Sequence, residues 1–262
     1  MDLHFKCTQC GKCCQDLKLP LTVSEATDWL TKGHAVQIIC EAMPWLEEPP
    51  ADDRKAAHRR RRSFATMSGS MPTRAMVILA ANLAGRCPNL QADMRCGIYE
   101  RRPLVCRIYP AEINPILQLD PANKLCPPEA WTVDHPLIQR DGRVTDDRVR
   151  QDIQQSRDTD ARDVEVKQRL CAALKLNSAS LADEGFVVYS PDGAALLTEL
   201  ARAVDNPDSG TIEPQWRFIS NRAETIASLA MHGAIGSHVQ ERDNGPFEYL
   251  GFRPSSPSAA QF

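Results

Sequence analysis

The stretch Phe5-Lys6-Cys7-Thr8-Gln9-Cys10-Gly11-Lys12-Cys13-Cys14 carries four thiols at the spacing C-x2-C-x2-C-C. A cysteine at every third residue of a tight loop that contains glycine allows several sulfur atoms to converge on one point. Thiolates are soft ligands that suit zinc, copper(I) and iron–sulfur clusters. A single cysteine usually behaves as a small buried apolar residue. Four cysteines at this spacing instead predict a metal site.

A second group of cysteines follows. Cys87 precedes a proline, the motif C-x-I-Y-x-x-R-P-x-x-C-R-x-Y-P runs from Cys96 to Pro110, and Cys126 is followed by two prolines. Together the two groups resemble the YkgJ-type cysteine-cluster family, which is described as a zinc- or iron-chelating domain, over about residues 3–130. The resemblance implies that eight cysteines are the metal ligands: Cys7, Cys10, Cys13, Cys14, Cys87, Cys96, Cys106 and Cys126.

Other residues near the motifs are less strongly indicated as part of the metal site. Arg102 and Arg107 match the family motif, and we expect both to contact the cofactor's sulfur ligands, because an arginine lowers a nearby thiol pKa and donates charge-assisted hydrogen bonds. His4, three residues before Cys7, is a candidate donor to the site or metal ligand, but a solvent-exposed residue is the favoured interpretation. Cys40 and Cys171 lie outside the motif on apolar faces of predicted helices, which indicates buried core thiols.

Composition restricts the class of protein. The chain has 262 residues, 42% hydrophobic and 25% charged, with a net charge of −3, as in ordinary globular proteins. It has no apolar run long enough for a membrane span and no secretory signal at its start. We therefore expect a cytoplasmic protein, in which ten cysteines favour metal binding over disulfides.

The pattern predicts a mainly α fold with irregular loops, in which a compact cysteine-cluster domain organised by metal precedes a helical C-terminal region. Thr22 and Glu25 form a capping box that starts a helix. Residues 35–46 and Thr73 to Ala84 are predicted helices, the second because of its length and alanine content. Further helices are predicted at 145–156, 160–176, 192–204 and 216–232, with a strand at Phe186 to Tyr189.

The chain is expected to divide near residue 134. Residues 1–134 form the cysteine-cluster domain, within which residues 47–72 read as an inserted basic and proline-containing segment. Residues 135–250 form the helical extension, and residues 251–262, rich in proline and serine, read as a disordered tail.

The sequence leaves open two kinds of metal centre and three functions. Zinc fits paired C-x2-C ligands, whereas C-x2-C-x2-C with a distant Cys-Pro resembles the ligand run of iron–sulfur ferredoxins. The leading hypothesis is a metal-binding protein whose cluster is structural or redox-active. The alternative is an iron–sulfur-dependent oxidoreductase or methyl-transfer enzyme, although the sequence indicates no catalytic residue. A weaker alternative is RNA binding through Arg59 to Arg62, but a short basic run is more often a solvated or ion-paired surface, so no nucleic-acid partner is expected.

Overall fold

The computed structural model describes residues 2–206, 215–239 and 246–254. The fold is mixed α/β, with 35% of residues in helices and 27% in strands, so the prediction of a mainly α chain is wrong. The helices are α1 Val23–Thr31, α2 Arg54–Arg61, α3 Leu104–Ile108, α4 Asp147–Arg162, α5 Val164–Ala173, α6 Gly193–Asp205 and α7 Ala223–Met231. The strands are β1 Asp2–His4, β2 Leu17–Leu21, β3 Val36–Pro44, β4 Ser63–Ser68, β5 Met71–Leu83, β6 Leu137–Arg140, β7 Arg143–Val144, β8 Ser178–Leu181, β9 Gly185–Tyr189, β10 Arg217–Ser220, β11 Gly236–His238 and β12 Glu248–Gly251.

Within the described residues, nine strands form one large sheet and three form a small one. The main path of the large sheet runs β11-β10-β8-β3-β5-β2, while β4 pairs with β5, and β9 pairs with both β3 and β12. β3, β8, β10 and β11 are parallel to their neighbours in that order, and β2, β3 and β4 are antiparallel to β5. The small sheet has the order β1-β6-β7. Each sheet therefore joins strands that are far apart in the chain.

Two predicted helices are the central strands of the large sheet. Residues 35–46 contain β3, in which eight of nine residues are buried, and Thr73 to Ala84 falls largely within the 13-residue β5. Strands that are covered on both faces read as continuous apolar runs instead of alternating ones. Periodicity does not distinguish such a run from a buried helix. The alanine content of β5 then led to the incorrect prediction of a helix.

Several local predictions are confirmed. The Thr22 hydroxyl accepts a hydrogen bond from the Glu25 N–H at 3.1 Å, and the Glu25 carboxylate accepts one from the Thr22 N–H at 2.9 Å, so the capping box starts α1. α4, α5, α6 and β9 lie where helices and a strand were predicted. The segment 216–232 is instead a strand followed by a helix, because β10 takes Phe218 and Ile219. β12 reaches residue 251 of the predicted tail, and residues 255–262 lie outside the described residues.

Two apolar cores enclose the region that holds the cysteines. The larger core lies between the large sheet and the helices α1, α5 and α6, and includes Leu79, Leu170 and Leu196. The smaller core packs α3 and α4 against the small sheet, with Leu104 and Ile153 among its buried residues. No helix in the described ranges is long and apolar enough to cross a membrane.

Candidate metal centre

The first cysteine loop connects β1 to β2 and is shaped by a glycine. Gly11 has φ +70°, in the left-handed region, and precedes the short 3-10 turn Lys12–Cys14. A Cβ atom at this position would lie 2.8 Å from the carbonyl oxygen of Met94. Only glycine combines this backbone angle with so close an approach of a second loop. The first cysteine loop is thereby packed directly on the segment that carries Cys96.

The second cysteine segment is attached to the first by its backbone. The N–H of Cys87 donates to the carbonyl oxygen of Cys14 at 2.8 Å. Leu90 forms an isolated β-bridge with Cys96, and the Gly97 N–H donates to the Asn89 carbonyl oxygen at 2.8 Å. These bonds bring Cys14, Cys87 and Cys96 to one side of the site.

The remaining cysteines arrive on a short helix and a loop. Cys106 lies in α3, which starts after Pro103. The loop after Cys126 is joined to the start of the chain, because the Lys6 N–H donates to the Ala130 carbonyl oxygen at 3.0 Å. Next to that bond, the rings of Phe5 and Trp131 pack with centroids 4.8 Å apart.

All eight cysteines of the two motifs line a single cavity with about 70 Å³ of free space. One water molecule needs about 10–15 Å³ of such space, so the cavity has room for more than one atom-sized group. In the part of the chain that the structure describes, no three histidine, cysteine, aspartate or glutamate side chains already stand in a metal-binding arrangement. The donor set fits a thiophilic metal, and binding would require the thiol side chains to turn toward a common centre.

Burial favours the neutral form of three of these thiols. It raises the pKa of Cys106 to about 12 and that of Cys126 to about 11, and it also raises the pKa of Cys87. Cys14 has a raised pKa because its thiol is hydrogen-bonded to Cys13. The same hydrogen bond lowers the pKa of Cys13 to about 7, with help from the Arg102 charge. Cys13 therefore ionises near physiological pH, unlike Cys87, Cys106 and Cys126.

Several cluster sulfurs receive hydrogen bonds from groups outside the cluster. The Gln9 N–H donates to Cys7 Sγ at 3.4 Å, and Asn89 donates to the Cys87 sulfur through its backbone and its amide, which opposes the effect of burial. The hydroxyl of Tyr109 is hydrogen-bonded to the Cys126 sulfur and lowers the pKa of that thiol. Hydrogen bonds of this kind stabilise thiolates.

Two tyrosines that were not predicted as site residues also contact the cysteines. Tyr99 is hydrogen-bonded to Cys7, and its pKa is raised by burial and by the charge of that cysteine. Burial raises the pKa of Tyr109 to about 12. The available signal was their position inside the long motif between Cys96 and Pro110.

The two predicted arginines differ in their placement. Arg102 lines the cavity, stacks on the Tyr99 ring at 3.7 Å and donates from Nε to the Tyr99 carbonyl oxygen. Arg107 does not line the cavity, and its guanidinium lies 3.4 Å from the Asp152 carboxylate on α4. The prediction that Arg107 contacts the sulfur ligands rested on its position next to Cys106. Neighbouring residues of a helix, however, point in different directions.

His4 also lies outside the cavity, where its Nδ1 is 2.7 Å from the carbonyl oxygen of His135. Cys40 and Cys171 are buried in the larger core, and burial raises the pKa of Cys40 well above its ordinary value. Cys40 lies on strand β3, not on the helix predicted for it. Both thiols are core residues, remote from the eight that line the cavity.

All four arginines of the basic run Arg59 to Arg62 form ion pairs. Arg59 pairs with Asp183, Arg60 with Glu48, Arg61 with Asp158 and Arg62 with Asp160. Each guanidinium thus has an acidic partner in the folded chain, as in an ordinary ion-paired surface.

Residues 6–127 match the family CxxCxxCC, described as a "putative zinc- or iron-chelating domain". No curated protein and no solved structure matches the chain. The matched range begins just before Cys7 and ends just after Cys126, so it contains all eight cysteines that line the cavity. Over residues 6–127, just under half of its length, this chain is therefore similar to the CxxCxxCC family.

Proposed function

We propose that the eight cysteines bind two metal groups, either zinc ions or iron–sulfur clusters, with four thiolates each, and that the metals hold the cysteine loops in place. The observation that carries the proposal is the single cavity, which is lined by all eight thiols although they come from separate segments of the chain. Four cysteines complete a tetrahedral site for structural zinc and equally ligate an iron–sulfur cluster.

The first proposed set is Cys14, Cys87, Cys96 and Cys106. The backbone bond between Cys87 and Cys14 and the bridge that includes Cys96 support this grouping. The charges that raise the pKa of the Cys106 thiol, after burial, are those of Cys13 and then of Cys87 and Cys96. Thiols that shift one another's pKa lie close together, as ligands of a shared metal must.

The second proposed set is Cys7, Cys10, Cys13 and Cys126. After burial, the charges that raise the pKa of Cys126 are those of Cys13, Cys7 and Cys10. The Lys6–Ala130 backbone bond holds the start of the first loop against the loop that follows Cys126. Cys13 also acts on Cys14, Cys87 and Cys106, so the two sets would be neighbours that meet at Cys13 and Cys14.

The protein residues around the sulfurs would prepare them for metal binding. A bound metal requires deprotonated thiols, whereas burial favours the neutral form of Cys87, Cys106 and Cys126. Arg102, Asn89 and Tyr109 supply the charge and hydrogen bonds that favour thiolates. Metal binding should therefore release protons to solvent. A reducing, cytoplasmic location is part of the proposal, because all ten cysteines are free and reduced thiols are typical of that compartment.

The test is the metal content of the full chain purified without oxygen. A colourless protein with two zinc ions per chain would support the proposal and identify the metal as zinc. Iron and sulfide, with broad visible absorption that bleaches in air, would support it and identify iron–sulfur clusters. Cys96→Ser and Cys126→Ser should each remove about one of the two groups, and the double variant should remove both. Cys171→Ala is the matched control, because this thiol is buried away from the cavity. Full metal content in the double variant would contradict the assignment.

The alternative function is an iron–sulfur-dependent oxidoreductase or methyl-transfer enzyme. One observation favours it: Tyr109 lines the cysteine cavity and also a second, larger cavity, which would place a bound molecule close to the metals. A turnover reaction that is lost on Cys126→Ser, in a variant that keeps its thermal stability, would establish this function in place of a structural one.

A further inference from the structure

The second cavity lies beside the cysteine site, where the N-terminal half of the chain meets α4 and α5. It has a volume of about 310 Å³, within the range of small-molecule pockets, which begins at about 300 Å³. One turn of helix, α3, separates the two cavities, with Cys106 lining the cysteine cavity and Leu104 and Ile108 lining the second. No residue of the eight-cysteine set lines the second cavity.

One wall of this cavity is apolar. It includes Leu21 at the end of β2, Ile78 on β5, Leu104 and Ile108 on α3, and Ile113 in the following loop. Such a wall would receive the hydrocarbon part of a ligand, since removing apolar surface from water is favourable by about 25 cal/mol per Å².

The acidic side chains at the cavity already have partners. The Glu25 carboxylate accepts N–H bonds from Thr22 at 2.9 Å and from Leu104 at 2.7 Å, so both of its oxygens are occupied. Glu112 is paired with Lys124. Asp160 is shared by two cations, Arg62 and Lys167. A cationic ligand would therefore find no free carboxylate here.

The cationic side chains are in local excess at the corner formed by α2, α4 and α5. Arg62 and Lys167 share the single carboxylate of Asp160, and Lys167 is only 3% exposed. His58 lies at the same corner, with Nε2 3.5 Å from an Arg62 nitrogen. Burial lowers the pKa of His58 to about 4, and the charges of Arg62, Arg157 and Arg61 act in the same direction. The imidazole is thus neutral at pH 7, although the charge of Asp160 opposes the shift. At this corner Arg62, Arg157 and Lys167 outnumber the carboxylates of Asp160 and Asp163 that act on them and on His58, which suits an anion.

We propose that this cavity binds a small organic acid, with its carboxylate at the corner of Arg62, Lys167 and His58 and a hydrocarbon body of several carbons against Leu21, Ile78 and Leu104. Arginine and lysine recognise carboxylates through charge-assisted hydrogen bonds. The proposal does not depend on what the cysteines bind, because the groups that it uses are separate from them.

The test compares three probes by calorimetry on the full chain as purified: hexanoate, hexanamide and acetate. Hexanoate has both the carboxylate and the hydrocarbon body of the proposed ligand. Hexanamide lacks the charge, and acetate lacks the hydrocarbon body. We expect saturable binding of hexanoate that is at least about tenfold tighter than that of either other probe, which corresponds to about 1.4 kcal/mol. Equal binding of hexanoate and hexanamide, or no saturable binding of hexanoate, would overturn the proposal.

Substitutions at Ser156 and Arg62 locate the binding. Ser156→Trp fills the cavity from α4 without removing an ion pair and should abolish hexanoate binding. Gln155→Trp adds the same side chain at the neighbouring exposed position and should leave it unchanged. Arg62→Gln should weaken hexanoate about tenfold and leave hexanamide unaffected, and Arg62→Lys should recover part of the loss. Hexanoate binding that survives Ser156→Trp in a folded variant would place the ligand elsewhere and contradict the proposal.

Discussion

The backbone N–H of Cys87 donates to the carbonyl oxygen of Cys14 across 2.8 Å, and this bond joins the two cysteine motifs. It lies just beyond the end of the antiparallel pair β2 and β5, in which Leu17 is opposite Leu83. The register of these two strands therefore brings Cys14 and Cys87 together. The sheet supplies this part of the site through its own hydrogen bonds and its own apolar core, independently of any metal.

Removal of the metal is accordingly expected to loosen the cysteine loops and to leave the large sheet folded. Anaerobic chelation should increase hydrogen exchange in residues 5–14 and 87–130, which have little regular structure to protect their amides. β3 and β5 should keep their protection, because they are buried in the larger core. Loss of protection throughout β3 and β5 would show instead that the metal is required for the whole fold.

Gly11→Ala should damage the site more than an ordinary glycine substitution does. The left-handed backbone costs alanine about 1 kcal/mol, and the new Cβ would lie 2.8 Å from the Met94 carbonyl oxygen. Gly85→Ala is the matched control, because φ is +79° there and no atom lies within 4 Å of a Cβ. We expect the control to lose about 1 kcal/mol of unfolding free energy in urea with full metal content, and Gly11→Ala to lose more and to bind less metal. Equal losses would mean that the Met94 loop moves aside easily.

The sequence predicted those parts of the molecule that depend on local chemistry. The capping box of α1 requires only Thr22 and Glu25, which hydrogen-bond each other's backbone N–H groups. The resemblance of the two cysteine motifs to a known family likewise indicated the eight thiols that line one cavity. In both cases the signal is carried by residue types at short, fixed intervals.

The sheet was not predictable in the same way, because its signal depends on distant partners. β3 and β5 are buried in part because β8 and β9, from much later in the chain, pair with β3, and because α5 and α6 contribute to the core that packs on the sheet. Tertiary burial of this kind overrides local propensity. Arg107 illustrates the limit at the site: its partner, Asp152, lies on α4, in a part of the chain that the family motif does not include.

Glu25 should couple the start of α1 to the cysteine site. Its second carboxylate oxygen accepts the Leu104 N–H at 2.7 Å, at the first turn of the helix that carries Cys106. Glu25→Ala removes both hydrogen bonds and should cost about 1–3 kcal/mol of unfolding free energy, with reduced metal content. Asp28→Ala, at an exposed position of the same helix, is the control. A loss of stability with unchanged metal content would confine the role of Glu25 to capping α1.

Truncation tests the predicted division of the chain at residue 134. A fragment of residues 1–134 lacks β8 and β9, which pair with β3, and β6, which pairs with β1. An uncovered strand edge and apolar face promote aggregation, so we expect the fragment to be insoluble when expressed alone. Co-expression of residues 135–262 should recover soluble, associated fragments. A soluble fragment 1–134 with the metal content of the full chain would support an independent domain.

The carboxyl group of Glu41 predicts a dependence of stability on pH. Burial raises its pKa to about 7, whereas an unfolded chain gives about 4.3. Between these values the folded chain retains a proton that the unfolded chain has released, so the stabilisation from the neutral carboxyl is present below about pH 4 and is lost as the pH rises to about 7. Glu41→Gln keeps a neutral side chain at every pH. Relative to the wild type, the variant should therefore gain about 2 kcal/mol of unfolding free energy between pH 5.5 and pH 8, measured in urea. Glu47→Gln, at an exposed position, should show a constant difference, and a constant difference for Glu41→Gln as well would mean that its carboxyl is ionised in the folded chain at both pH values.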